Sequence, residues 1–103
     1  MSKKKLDKKT IRQLLSHIFE PTLGGDIVSL GLVDSISEKK GKWVIKFHSN
    51  NPFDPIASHI AKQIKQTLEE RDVYSEVLLT GHTHAKEINE YINSPDHPAW
   101  KKS

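Results

Sequence analysis

Residues 20–33 read EPTLGGDIVSLGLV and lie between a helical pattern and a strand pattern. Pro21 ends the helix, because its ring clashes with the preceding turn and it has no N–H to donate. Gly24 and Gly25 allow backbone conformations that residues with a Cβ avoid. An apolar run follows them. We therefore expect this loop to lay its backbone against a sheet edge, where a ligand can approach.

Apolar residues at helical spacing predict two long helices. The first covers about residues 8–19, with Thr10 as its expected N-cap. The second is expected to begin at Asp54, an N-cap acceptor, with Pro55 at the first helical position, and to end near Glu70. Its apolar stripe recurs at every fourth residue: Ile56, Ile60, Ile64 and Leu68.

Three strands are predicted, over about residues 32–38, 43–48 and 73–80. The polar link Lys39–Lys42 contains one glycine and is typical of a hairpin turn between the first two strands. The odd-numbered side chains of the second strand are apolar, so this face is expected to point into the core. The third strand follows a helical crossover, so it can pair in parallel with a hairpin strand.

The predicted order is α-β-β-α-β with a short C-terminal helix or tail. We interpret it as an α+β fold, a two-layer sandwich with helices on one face of a small sheet. A chain of 103 residues has the size of one domain. We expect a basic mobile tail at 1–9, the domain at 10–81, and a C-terminal extension at 82–103 that packs on or near it.

The sequence contains no cysteine. This excludes disulfides, cysteine-ligated zinc, thiolate nucleophiles and a metal cluster held by cysteines of the chain itself. No apolar run approaches the ~18–20 residues that span a bilayer, so we expect no membrane partner. The lysine-rich start is not followed by an apolar secretory segment, and a cytoplasmic protein is the default expectation.

The formal net charge of +3 comes from the ends of the chain. Seven lysines lie in residues 3–9 and 101–102, whereas residues 10–100 hold nine basic and twelve acidic side chains. A nucleic-acid binder should carry its positive charge on a folded face, so no nucleic-acid partner is expected. The basic tail is expected to be solvated, with a loose contact to RNA or to an acidic partner as the alternative.

The stretch at residues 20–33 resembles the signature DPELGxDIVxLGLV of the small iron–sulfur assembly domain found in SufT and PaaD proteins. The same domain precedes the ATPase module of Mrp/ApbC-type cluster carriers. The likeness covers roughly residues 10–80, in the family's order. It implies an FSCA-like fold and an accessory factor in iron–sulfur cluster assembly or insertion, which acts by binding and not by turnover. No catalytic residue is therefore expected.

The sequence departs from the family at the positions where metal chemistry is suspected. The family has aspartate where Glu20 stands and glutamate where Thr22 stands. Its loop TTPGCP, which matches residues 50–55, has a cysteine where Asp54 stands. An aspartate can ligate iron as a hard oxygen donor, but it cannot hold a cluster as sulfur does. The alternative role of Asp54 is that of a helix N-cap.

The resemblance implies one binding surface at the strand ends, made by the loop that begins at Glu20 and the loop that ends at Asp54. Asp26 and Asp54 would form a shared acidic rim over the N–H groups of the second helix, and Phe53 would be the apolar contact. The expected members are Glu20, Thr22, Asp26, Asn50, Asn51, Phe53 and Asp54. The expected partners are iron–sulfur scaffolds or client apoproteins. No intrinsic cofactor is expected, only transient iron or an iron–sulfur cluster.

A second candidate is the pair His82 and His84, which follows the third strand. If strand geometry continued, both side chains would point the same way and could share a metal with a third ligand. Candidates for that ligand are Glu87, Asp96 and His97. The pattern is short, and polar loop histidines are the favoured alternative.

Two other functions stay open. The first is a non-catalytic protein-interaction module that kept the fold and lost metal handling, since fold does not determine function. The second, less favoured, is a metal-dependent enzyme that uses the histidine pair. A homodimer through an exposed edge strand is also left open.

Overall fold

A computed structural model of the chain describes residues 6–94. Residues 1–5 of the predicted tail and residues 95–103 of the predicted extension, with Asp96 and His97, lie outside the described residues. In chain order the helices and strands are α1 (Lys8–Leu15), β1 (Phe19–Glu20), β2 (Gly25–Asp26), β3 (Val33–Lys39), β4 (Lys42–His48), α2 (Ala57–Glu69), β5 (Ser75–Thr80) and α3 (Ala85–Asn93).

The main sheet has the order β3-β4-β5. β3 and β4 are antiparallel, and Lys40 and Gly41 in their turn both have positive φ, as a two-residue hairpin turn requires. β4 and β5 are parallel, in register from Trp43 opposite Ser75 onward, and α2 forms the crossover between them. The α+β prediction is confirmed, including the direction of every strand in this sheet.

The core lies between this sheet and the helices. The odd-numbered residues of β4 are buried, as predicted, and so are the inward residues of β5. The α2 stripe covers them with Ile60, Ile64 and Leu68, while Ile56 is only half-buried. Helical spacing in α2 and alternation in β4 therefore account for both layers of the core. No helix in residues 6–94 is long and apolar enough to span a membrane.

The first helix begins at Lys8, as predicted, but its N-cap and its last residue differ from the prediction. Its N-cap is Asp7 and not Thr10, because the Asp7 carboxylate accepts the Thr10 N–H at 2.9 Å. It ends at Leu15, where the Ser16 hydroxyl donates to the Gln13 carbonyl. The next residues then form β1, which pairs antiparallel with β2. Two-residue strands have too little periodicity to be predicted from sequence.

The outer edge of β5 is covered by two asparagine side chains of α3. The Asn89 amide accepts the Leu79 N–H at 2.8 Å and donates to the Leu79 carbonyl at 3.0 Å. One helical turn later, Asn93 does the same for Val77, at 2.9 and 2.8 Å. Each amide supplies the donor and the acceptor that a neighbouring strand would supply. α3 therefore closes an edge that would otherwise be open to pairing.

We predict that Asn89→Leu lowers the free energy of unfolding by about 1–3 kcal/mol, because both polar groups of Leu79 lose their partner. The open edge should also increase self-association, measured by sedimentation velocity alongside urea denaturation. Glu90→Leu is the matched control, since Glu90 is exposed on the same helix. Equal effects of the two variants would contradict a specific role for the asparagine.

One lysine is buried in the α2–β5 interface. Lys65 is 4% exposed, and its ammonium donates to the Ser75 carbonyl and to Asn93 Oδ1. Burial lowers the pKa of Lys65 from 10.5 to about 8, although the nearby carboxylates of Glu69 and Glu76 oppose the shift. The charged form therefore costs free energy in the folded state, even with its hydrogen bonds made.

This burial predicts a specific pH dependence of stability. The unfolded chain keeps the Lys65 proton up to about pH 10.5, whereas the folded chain loses it from about pH 8. Folding thus releases a proton in this window, and the free energy of unfolding rises with pH there. Relative to Lys65→Met, the wild type should gain at most about 3 kcal/mol between the two values. Urea denaturation of both proteins across this range tests it, and a constant difference would contradict it.

Candidate functional site

Three loops meet at one end of the main sheet. The segment before β3 enters at this end, where the Leu32 carbonyl accepts the His48 N–H at 3.0 Å. β4 and β5 both finish there, because they are parallel, and the Thr80 carbonyl accepts the Ser49 N–H at 3.1 Å. The segment before β3 and the loops that follow β4 and β5 therefore lie at a common end of the sheet.

The loop after β4 is fastened to the segment after β5. The N–H and the hydroxyl of Thr83 both donate to the Pro52 carbonyl, at 2.8 and 2.9 Å. The buried Ser49 hydroxyl lies 2.8 Å from the carbonyl oxygens of Gly81 and Asn51. Neither Ser49 nor Thr83 was predicted as a site residue. Their side chains make the two loops one hydrogen-bonded unit.

Asp54 is 4% exposed and occupies the turn before α2. Its Oδ1 accepts the Ile56 N–H at 3.1 Å. The helix begins only at Ala57, and the N-cap position, Ile56, makes no side-chain cap. The prediction of Asp54 as the N-cap and Pro55 as the first helical residue is therefore wrong by two residues. A local aspartate turn through Pro55 uses the carboxylate before the helix begins.

His82 holds this loop through both of its ring nitrogens. Its Nε2 lies 2.9 Å from the Asp54 carbonyl, and its Nδ1 accepts the His84 N–H at 3.0 Å. A neutral ring with the proton on Nε2 satisfies both contacts. Gly81, with φ of 74°, ends the strand before the pair, so strand geometry does not continue. The predicted metal pair thus has one member whose ligand atoms are already used by the backbone.

Asp54, Phe53 and the two histidines share one surface depression of about 410 Å³. Phe53 projects from its edge with 77% of its surface exposed, and its N–H is held by the Asn51 side chain at 2.8 Å. The depression is lined by Phe53, Asp54, Pro55, Ser58, His82, His84 and Ile88. Ser58 and Ile88 were not predicted, although Ser58 follows Asp54 by one helical turn.

The Glu20–Asp26 loop contributes no residue to that depression. Asp26 Oδ1 accepts the N–H groups of Val28 and Ser29 at 2.9 and 2.8 Å. These bonds, with that of Ser29 the strongest, hold the pKa of Asp26 below its ordinary value. Asp26 therefore organises the turn that leads to β3. The depression at Asp54 brings the second loop together with the histidines instead of with Asp26.

Glu20 is the unexpected residue of the first loop, because only 1% of its surface is exposed. Its Oε1 accepts the Leu23 N–H at 2.7 Å, whereas Oε2 is buried without a hydrogen-bond partner among residues 6–94. A buried polar atom in this state costs about 1–3 kcal/mol. Of the other predicted residues, Thr22 is exposed and Asn50 half-buried.

The side chains described at this site do not form a metal centre by themselves. Within residues 6–94, no group of three histidine, aspartate or glutamate side chains is placed to hold a metal ion. The chain also has no thiol. The described side chains therefore supply an incomplete ligand set.

Comparison with known proteins agrees with this fold. A family model described as "Iron-sulfur cluster assembly protein" matches residues 8–77. Six solved chains match the fold. One is a crystal structure of a domain of unknown function, DUF59, from Bacillus anthracis, with a TM-score of 0.65 and 27% identity. The match covers 71% of this chain and 73% of that one. No curated protein sequence matches this chain.

The buried carboxylate of Glu20 leads to a stability prediction. Glu20→Gln keeps an acceptor for the Leu23 N–H and removes the buried charge, so the free energy of unfolding should rise by about 1–3 kcal/mol. Glu20→Ala, which removes the acceptor as well, should be less stable than Glu20→Gln. Urea denaturation at neutral pH measures both. A glutamine variant less stable than the wild type would show that the charge is compensated.

Proposed function

Because this chain belongs to the iron–sulfur cluster assembly protein family, we propose that it is an accessory factor in cluster assembly or insertion. In this proposal it acts by binding proteins and metal and has no catalytic turnover. The signature at residues 20–33 supports a place beside SufT, PaaD and the N-terminal domains of Mrp/ApbC carriers. The proposed partners are a scaffold protein or a client apoprotein.

The observation that carries the proposal is the position of Asp54. Asp54 is almost fully buried, yet it is one of the residues that line a depression open to solvent. The loop around it is held by contacts from His82 and Thr83, so the carboxylate has a defined position. A preorganised aspartate in the same depression as the exposed His84 suits a divalent iron ion as cargo.

The cargo must be shared with a partner. Asp54 and His84 are too few to complete an iron site, and the chain has no cysteine to bind the irons of a cluster. The partner would therefore supply the remaining ligands, including every thiolate. Phe53 stands at the edge of the same depression and offers a large apolar surface for that partner to cover.

A second candidate function is a protein-interaction module that kept this fold and lost metal handling. The ring nitrogens of His82 favour it, because both are engaged by the backbone. In that case the depression would bind a partner through Phe53 alone. The two functions differ in whether Asp54 contributes to the retention of iron.

An anaerobic titration with Fe(II), with and without an apo-client protein, separates these functions. We expect the client to raise iron retention by the wild type. Asp54→Asn should abolish that gain while keeping the acceptor for the Ile56 N–H. Asp72→Asn is the matched control, because Asp72 is exposed at the other end of the sheet. Its φ of 60° is one that asparagine also tolerates.

Loss of iron retention in both variants would overturn a specific role for Asp54. Capture of the client by all three proteins, with no iron effect in any of them, would favour the interaction module. If the isolated Asp54→Asn variant binds iron with the affinity of the wild type, the metal site lies away from Asp54.

A further inference from the structure

The face of the main sheet that points away from the core carries a second, separate surface. Alternate residues of the three strands project there, including Ser37 on β3, Val44 and Lys46 on β4, and Leu78 on β5. They line a shallow depression of about 790 Å³. We call this surface the lysine face; it comprises Ser37, Lys39, Lys40, Lys42, Val44, Lys46, Tyr74, Glu76 and Leu78.

Positive charge is concentrated on this face. It holds four lysines and one acidic residue, Glu76, whose carboxylate lies 3.9 Å from the ammonium of Lys42. Elsewhere in residues 6–94 there are seven basic and eleven acidic residues. The described part of the chain is therefore acidic except on the lysine face, which creates a local field that attracts negative charge.

The centre of the lysine face is apolar. Val44 and Leu78 are half-buried and form its floor between the lysines. Tyr74 stands at its edge and is 65% exposed. A surface with an apolar centre and a charged border has the composition of a protein-binding site.

We propose that the lysine face binds an extended acidic segment of a partner protein, with aliphatic side chains of that segment on Val44 and Leu78. Its glutamates or aspartates would meet Lys39 and Lys46, which are exposed on both sides of this floor. Charge complementarity selects the acidic segment, and the apolar floor selects a segment that also carries aliphatic residues.

The composition of the face favours a protein over a nucleic acid. Its cations are all lysines, which act as point charges, whereas bidentate recognition of phosphate favours arginine. Single-stranded nucleic acid also needs aromatic rings for base stacking, and the face offers only Tyr74 among its lining residues.

The lysine face and the depression at Asp54 can be occupied together. The lysine face extends toward the β3–β4 turn at Lys40, whereas Asp54 lies beyond the opposite ends of β4 and β5. A partner segment bound on the lysine face would leave Asp54 accessible. The acidic segment specifies the kind of partner for the proposed function. Only the partner's role in cluster assembly rests on that proposed function.

The test uses the full chain and a fluorescein-labelled peptide of about 12 residues that alternates glutamate with valine. Fluorescence anisotropy at about 0.15 M salt measures the affinity. Lys39→Glu/Lys46→Glu should weaken binding at least about tenfold, a loss of about 1.4 kcal/mol. Lys62→Glu/Lys86→Glu, on α2 and α3, makes the same change in net charge and should alter affinity by less than about twofold. Circular dichroism verifies that both variants are folded.

A second peptide, with serine in place of valine, should bind several-fold more weakly, because the floor would have no apolar partner. Equal binding of the two peptides would overturn the role of Val44 and Leu78. Equal weakening by the two double variants would overturn the location. Tighter binding of a single-stranded RNA of similar length would overturn the choice of partner. None of these results depends on iron, so they are independent of the Asp54 experiment.

Discussion

The parallel pairing of β4 with β5 is the constraint on which the rest of this structure depends. Parallel neighbours cannot be joined by a tight turn, so α2 must cross over the sheet, and its apolar stripe becomes the second layer of the core. The same pairing makes both strands finish at one end. The loops that leave them then meet, and the contacts of Thr83 and His82 fasten them around Asp54. The candidate site is thus a consequence of strand direction.

The parallel pairing also creates a liability that α3 removes. In a sheet of order β3-β4-β5, the outer edge of β5 has backbone groups with no strand beside them. Asn89 and Asn93, spaced by one helical turn, match alternate residues of β5 because the two repeats have similar lengths. Through this match, the short helix α3 is attached to the edge of β5 by side-chain hydrogen bonds. The opposite edge of this sheet is formed by β3.

Periodicity was enough to predict the core and the strand directions, since the burial of Trp43, Ile45 and Phe47 follows from simple alternation. The helix ends were less predictable, because competing local bonds at Ser16 and Asp54 are decided by tertiary packing. The meeting of Asp54 with His82 is a long-range contact across a crossover, and no local pattern contains it. The burial of Glu20 was missed for the same reason, since an acidic residue before Pro21 is typical of a surface loop.

Two of the three charged residues that are buried within residues 6–94, Lys65 and Glu20, differ in how their polar atoms are satisfied. Lys65 is surrounded by acceptors, and its cost is limited by the partners that the fold provides. Glu20 has one oxygen satisfied and one without a partner among the described residues. Selection for stability alone would favour glutamine or an apolar residue at such a position. In the proposed function, a positive charge from a metal cation or from a partner's side chain would offset the cost of this carboxylate. We therefore include Glu20, with Asp54, among the groups proposed to contact cargo or partner.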